Sequence, residues 1–317
     1  VHFRYMSANS SSVNFFILAT LGLPPTLIYP AFIFGTLTYL FIIFCNSLVV
    51  LTIAVSKRLH TPMFLLLINL PISDILGASS FFPQLVFSIL TQNRIISSSA
   101  CITQAFLIHL YGGGNLLILS VMAYDRYVAI CNPLKYNTIM TTNFVIRLIF
   151  LTWFLVFVVM AVLFALTLRF NLCRTNIEDL YCNNPSFQTM SCGDNRVSNY
   201  YGLFITCLLN GGPLLIIAYT YAQILRTCIM NNNTDSRKKA FQTCGTHLVV
   251  FLVLQINSAF TIVSHRFQNV SPFLRRACGV SILIFPPFLD PIIYGLKTKE
   301  LKKSIIKFLK RQVGSTK

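Results

Sequence analysis

Residues 144–168 read FVIRLIFLTWFLVFVVMAVLFALTL, with one charge, Arg147, close to the start. A helix crosses the hydrocarbon core of a bilayer in about 20 apolar residues, and this stretch supplies that length. Comparable apolar segments lie near 27–55, 63–90, 100–131, 199–226, 240–263 and 273–296. Membrane-spanning strands would be shorter and would alternate apolar with polar residues, so a β-barrel does not fit. The expected fold is an all-α membrane protein, a seven-transmembrane helix bundle.

Composition agrees with this. The chain of 317 residues is 55% hydrophobic and 10% charged, whereas soluble domains carry about 25% charged residues. Mean hydropathy is +0.69. These values exclude a disordered chain, a collagen-like chain and a small disulfide scaffold, and they argue against a soluble enzyme. No Gly-rich phosphate loop, His-Glu-x-x-His motif or nucleophile elbow is present to suggest catalysis. The spans show no matched halves, which counts against a transporter.

The net charge is +17. Lys57, Arg58, Lys135, Arg147, Arg226, Arg237, Lys238, Lys239 and the tail from Lys297 onward lie in short loops on one side of the spans. By the positive-inside rule that side is cytoplasmic, and seven crossings put the N-terminus outside. The charge therefore encodes topology, and nucleic acid is not an expected partner. The expected organisation is an extracellular segment 1–26, a seven-span domain 27–297 and a cytoplasmic segment 298–317 of a multi-pass plasma-membrane protein. The opening residues lack a basic-then-apolar leader, so the first span is expected to act as its own insertion signal. In the last segment Leu301, Ile305, Phe308 and Leu309 share a helical face while Lys302, Lys303, Lys307 and Lys310 cover the others. This pattern suits a short amphipathic helix lying on anionic lipid.

Four of the ten cysteines fall outside by this topology: Cys101, Cys173, Cys182 and Cys192. They suggest two disulfides, with three pairings open. Cys244 and His247 stand one helical turn apart, but two ligands make a weak metal site and packing is the preferred reading. Asn9-Ser10-Ser11 is a glycosylation sequon on the outer side. Asn269-Val270-Ser271 is a second, close to the membrane, and Asn232-Asn233-Thr234 would face the cytoplasm.

Polar groups inside spans carry the functional expectations, because ionisable residues in a membrane are costly unless paired or hydrated. Arg126 ends the third span beside Asp125, either as a latch or as a snorkelling anchor. Asp74 and Asp290 lie in the second and seventh spans. They either share a proton, bind a cation such as sodium with help from Asn46 and Asn115, or form a polar cluster that ties helices together. Sodium at Asp74 and Asn115 is the one candidate cofactor. Pro213 and Pro291 are expected to allow kinks, and Pro286-Pro287 to break the seventh span further.

Four motifs then converge. Leu59-His60-Thr61-Pro62-Met63-Phe64 opens the second span, and Met122-Ala123-Tyr124-Asp125-Arg126-Tyr127-Val128-Ala129-Ile130-Cys131 closes the third. Lys239-Ala240-Phe241-Gln242-Thr243-Cys244-Gly245-Thr246-His247-Leu248 opens the sixth, and Asp290-Pro291-Ile292-Ile293-Tyr294 closes the seventh. Together they resemble the olfactory (odorant) receptors of the rhodopsin-like G-protein-coupled class, over nearly the whole chain from Asn46 to the basic tail. A non-olfactory chemoreceptor of this class is the neighbouring reading.

The resemblance implies pairings Cys101–Cys182 and Cys173–Cys192. It implies an odorant bound outside, a heterotrimeric G protein of the olfactory stimulatory type inside, and a rise in cyclic AMP. It also implies a switch built from Asp125, Arg126, Tyr127, Tyr221, His247 and Tyr294. Asn115 stands where these receptors commonly have Glu, Gln255 where they commonly have Tyr, and Gly112-Gly113-Gly114 is unusual in mid-span. No oligomeric state follows from the sequence.

The ligand is expected between the outer halves of the third, fifth and sixth spans. Gln104, Ile108, His109, Gly112 and Gly113 follow helical spacing on the third, and the two glycines either leave room for a ligand or allow close helix approach. Gln255, Ala259, Ile262 and Arg266 share a face on the sixth. Arginines exceed the acids Glu178, Asp179 and Asp194 on the outer side. An acidic odorant held by Arg266 is therefore one expectation, against a solvated Arg that merely snorkels.

Overall fold

A computed structural model describes residues 14–230, 234–266 and 270–314, without side chains at 234–243, 246, 266, 296–297 and 311–314. Among the described residues seven helices are long and apolar enough to cross a membrane. They are Pro25–Val55, Pro62–Thr91, Ser98–Cys131, Thr142–Leu168, Arg196–Met230, the sixth with its apolar part at His247–His265, and Pro272–Gly295. The third lies at the centre, against the second, fourth, fifth and sixth. Phe44, Phe150, Phe154 and Leu215 point outward and are exposed, as a lipid-facing surface requires.

Helix starts follow local chemistry. Pro25, Pro62 and Pro272 occupy first-turn positions, where a missing N–H costs nothing. Ser97, Thr141 and Ser271 accept from the backbone N–H groups of Ala100, Phe144 and Leu274. Helix Pro62–Leu67 hands over to Asn69–Thr91 at Ile68. Pro71 explains the interruption, since it cannot donate to the Leu67 carbonyl.

The seventh span corrects one expectation. Pro286 and Pro287 do not break it: the helix runs unbroken from Pro272 to Lys297 with Pro286, Pro287 and Pro291 inside. The prolines free the carbonyls four residues earlier, and neighbouring spans supply donors for two of them. The Tyr111 hydroxyl donates to Ile282 O at 3.3 Å and Asn46 Nδ2 donates to Pro287 O at 2.9 Å. A freed carbonyl inside a bundle is tolerable when another helix satisfies it in this way.

At one end of the bundle a two-stranded antiparallel ribbon, Phe15–Ile17 with Ile95–Ser97, pairs Phe16 with Ile96. Both disulfides lie at this end. Cys101–Cys182 joins the third span to the loop after the fourth, and Cys173–Cys192 closes that loop, with Cα separations of 5.4 and 5.5 Å. At the other end helix Lys299–Gly314 packs against the first and seventh spans with Leu301 buried.

Candidate functional site: a cavity and a polar terminus

The cavity lies at the disulfide end and measures about 290 Å³, close to the smaller ligand cavities at roughly 300 Å³. The third span contributes Ile108, His109, Gly112, Gly113 and Leu116, on one helical face. The fifth contributes Ile205, Thr206, Leu209 and Asn210, and the sixth Ser258, Thr261, Ile262 and His265. The loop after the fourth span covers it with Tyr181, Asn183, Asn184 and Gln188.

The three adjacent glycines have three different roles. A Cβ on Gly112 would meet nothing within 4 Å, so its bareness adds cavity space. On Gly113 it would sit 3.2 Å from Leu209 Cδ1 and Val156 Cγ1. On Gly114 it would fall 2.2 Å from Trp153 Cζ3, so only glycine lets that indole in. Trp153 Nε1 in turn donates to Asn69 Oδ1 at 3.1 Å, so the ring ties the second, third and fourth spans together.

Gln104, expected in the ligand site, lies outside the cavity. Its Oε1 accepts from Cys182 N and its Nε2 donates to Ser80 O, each at 2.9 Å, so it clasps the covering loop to the second and third spans. Gln255 and Ala259 also lie off the lining, because the sixth span presents Ser258, Thr261, Ile262 and His265 instead. Of the expected residues Ile108, His109, Gly112, Gly113 and Ile262 line the cavity. The Arg266 side chain is outside the described residues.

The cover is held by its own polar interior. Asp179 is buried, and its Oδ2 accepts from Asn183 Nδ2 at 2.7 Å and lies 3.1 Å from His265 Nε2. Arg275 Nε lies 3.5 Å from the other oxygen. Burial alone would raise the Asp179 carboxyl, but the bonds from His265 and Asn183, with the charges of His265 and Arg275, outweigh it and hold the group below its ordinary range. Thr167 Oγ1 donates to Asn184 Oδ1 at 2.8 Å and meets Ser198 Oγ at 2.6 Å, which fastens the cover to the fourth and fifth spans. Sequence reading missed these residues, because loop placement depends on the disulfides rather than on local pattern.

Several arginines at the disulfide end are engaged too. Arg275 pairs with Glu178, Arg276 donates to Glu178 O, and Arg196 pairs with Asp194. No Lys or Arg is among the described residues lining the cavity.

At the opposite end Arg126 donates through Nε to Asp125 Oδ2 at 2.9 Å. The Tyr136 hydroxyl donates to Asp125 Oδ1 at 2.8 Å. Burial and the Asp125 charge push the Tyr136 phenol up, so it stays a donor. Among the described residues no bond joins Arg126 to the sixth span. That span is fastened to the fifth, where the Tyr221 hydroxyl reaches His247 Nδ1 at 2.8 Å and donates to Cys244 O at 2.9 Å. Tyr127 packs against this junction, and Tyr294 is buried with no partner for its hydroxyl among the described residues.

Between the two ends lie Asp74, Asn115 and Asp290, all buried. Asn115 Nδ2 donates to Asp74 Oδ1 at 3.4 Å. Among the described residues Asp74 Oδ2, Asn115 Oδ1 and Ser73 Oγ are buried without a hydrogen-bond partner. Asn46 does not bond to Asp74, since its amide donates to Ile42 O and Pro287 O. Among the described residues no group of three metal-ligating side chains forms, so Cys244 and His247 gain no third ligand.

The olfactory receptor family model matches residues 35–312 of the chain. Human olfactory receptor 52N2 is 34% identical over 308 residues, covering 95% of this chain and 95% of its own. Human olfactory receptor 52B2 is 32% identical over 271 residues, covering 85% and 84%. The crystal structure of squid rhodopsin superposes with a TM-score of 0.72 at 18% identity, covering 90% of this chain and 81% of that one. The matched family spans the bundle, the cavity and the Arg126 end alike, and the chain belongs to the olfactory receptors, G-protein-coupled membrane receptors that sense odorants and signal rather than catalyse.

Proposed function

We propose that this protein binds a small odorant in the covered cavity and activates a stimulatory heterotrimeric G protein of the olfactory type, raising cyclic AMP. The observation that carries the reading is the pairing of a cavity at the disulfide end with the Asp125–Arg126–Tyr136 cluster at the other, bridged by the third span. The disulfide end faces outward, because disulfides persist in an oxidising compartment and the basic loops belong inside. Residues 1–26 are then extracellular, 27–297 form the receptor domain and 298–317 are cytoplasmic. Asn9, outside the described residues, would carry the glycan.

The ligand contacts we assign are Ile108, His109, Gly112, Gly113 and Ile262, joined by Asn210, Ser258 and the cover. The described lining carries no Lys or Arg, which suits a neutral ligand; the Arg266 side chain, on which an acidic ligand would depend, lies outside the described residues. The switch we assign comprises Asp125, Arg126, Tyr127, Tyr221, His247 and Tyr294. Activation would part Tyr221 from His247 as the sixth span moves. An odorant panel applied to cells with a cyclic-AMP reporter tests this. The expected result is a dose-dependent rise that disappears in cells lacking the stimulatory G protein; substrate flux without nucleotide exchange would contradict it.

Receptors of this class generally need no cofactor. The orphan oxygens of Asp74, Asn115 and Ser73 fit a small hard cation, which takes oxygen ligands. Bound sodium would there neutralise Asp74 and stiffen the contact between the second and third spans. Exchanging sodium for N-methylglucamine is expected to shift odorant potency in the native protein and not in Asp74→Asn; an equal shift in both would remove the ion site.

A further inference from the structure

The third-span wall of the cavity is apolar at Ile108, Gly112, Gly113 and Leu116 and polar at His109. His109 Nδ1 lies 2.8 Å from Ala105 O. A carbonyl only accepts, so Nδ1 carries a proton. Phe164 packs edge-on against the ring at a centroid distance of 5.6 Å, and no described carboxylate pairs with it. An imidazolium at this place would be a charge without a counter-ion in apolar surroundings, so the ring is neutral. Nε2 is then a lone-pair acceptor, and among the described residues no bond to it forms.

The other cavity histidine differs. His265 is committed at both ring nitrogens, with Nδ1 at 2.8 Å from Thr261 O and Nε2 at 3.1 Å from Asp179 Oδ2. Gly112 lies one turn along the third span from His109 on the same face, and a Cβ there would meet nothing. Open space therefore adjoins, of the two cavity histidines, the one whose second ring nitrogen has no partner among the described residues.

We infer that the cavity selects a neutral, mostly apolar molecule bearing an O–H group, whose proton is donated to His109 Nε2. His109 is thus a specificity-determining residue. An ether of the same shape fills the space and offers no proton. A carboxylate sets its lone pairs against that of Nε2. Loss of such a bond with an acceptor left unpaired is worth about tenfold in affinity.

The inference deepens the receptor reading and rests on it, so binding and signalling are measured separately. Purified full-length protein is titrated with straight-chain and cyclic alcohols of about six to ten carbons, their methyl ethers, and carboxylates of matched length. Thermal stabilisation reads binding, and nucleotide exchange on the stimulatory G protein reads signalling. The expected result is stabilisation by at least one alcohol at about tenfold lower concentration than by its ether or carboxylate. His109→Phe is expected to erase the alcohol preference, and His109→Gln, which keeps an acceptor, to retain part of it. Equal potency of alcohol and ether, a stronger carboxylate, no stabilisation by any alcohol, or a preference that survives His109→Phe would each overturn the inference. Should His109→Phe fail to fold, the alcohol–ether comparison in the native protein still decides. Selective stabilisation without exchange would sink the receptor reading alone, and exchange without selectivity would sink this inference alone.

Discussion

Replacing Gly114 with valine is expected to destabilise this protein by about 2–3 kcal/mol, seen as a lower melting temperature and reduced surface expression. The reason is local. The new Cβ would lie 2.2 Å from Trp153 Cζ3 and 2.4 Å from Cη2, inside contact distance of a rigid ring. The ring cannot swing away without breaking its bond to Asn69 Oδ1. Overpacking typically costs about 1–3 kcal/mol, and the indole bond adds about 1 kcal/mol. Helix propensity opposes this by under about 1 kcal/mol, since glycine is a poor helix former. The clash wins. Gly112→Ala is the control: its Cβ meets nothing, so propensity alone acts and stability should hold or rise slightly. Equal melting of Gly114→Val and Gly112→Ala would refute the packing described for the third and fourth spans.

Arg126→Gln is expected to abolish the odorant-evoked rise in cyclic AMP at matched surface amounts. Arg126 is held by Asp125, whose second oxygen is taken by Tyr136 at the start of the short helix Tyr136–Ile139. Its described partners are on its own helix and, through Asp125, on Tyr136 of the neighbouring loop. Movement of the sixth span away from Tyr221 would then uncover a cation already in place. Glutamine retains a donor for Asp125 and limits the destabilisation that alanine would cause by leaving a buried carboxylate with Tyr136 alone. Coupling between sites spans about 5- to 150-fold, so loss of the signal should be plain. A native response from the variant would remove Arg126 from the mechanism.

Span number and extent were legible because length and hydropathy act along the chain. The observed ends differ by a few residues, where Ser97, Thr141 and Ser271 add capped turns. The disulfide pairing came from family resemblance, since counting cysteines left three choices. The phase of the sixth span was not legible. The expected stripe ran through Gln255, Ala259, Ile262 and Arg266, whereas the lining runs through Ser258, Thr261, Ile262 and His265. Helical periodicity says which residues share a face, not which neighbour that face meets. Gln104 shows the same limit: it shares its stripe with Ile108, yet Cys182 N and Ser80 O claim its amide. The prolines of the seventh span read as breakers, and the donors that keep it whole lie far off in sequence at Asn46 and Tyr111.

The central claim is that occupancy of the covered cavity acts on the Arg126 end. Guanine-nucleotide exchange on purified stimulatory G protein, by the native protein in lipid nanodiscs with and without an activating odorant, tests it most directly. The account predicts that odorant accelerates exchange by about fivefold or more, and that Arg126→Gln binds the same odorant without accelerating it. Odorant binding to the native protein that leaves the exchange rate unchanged would contradict the account.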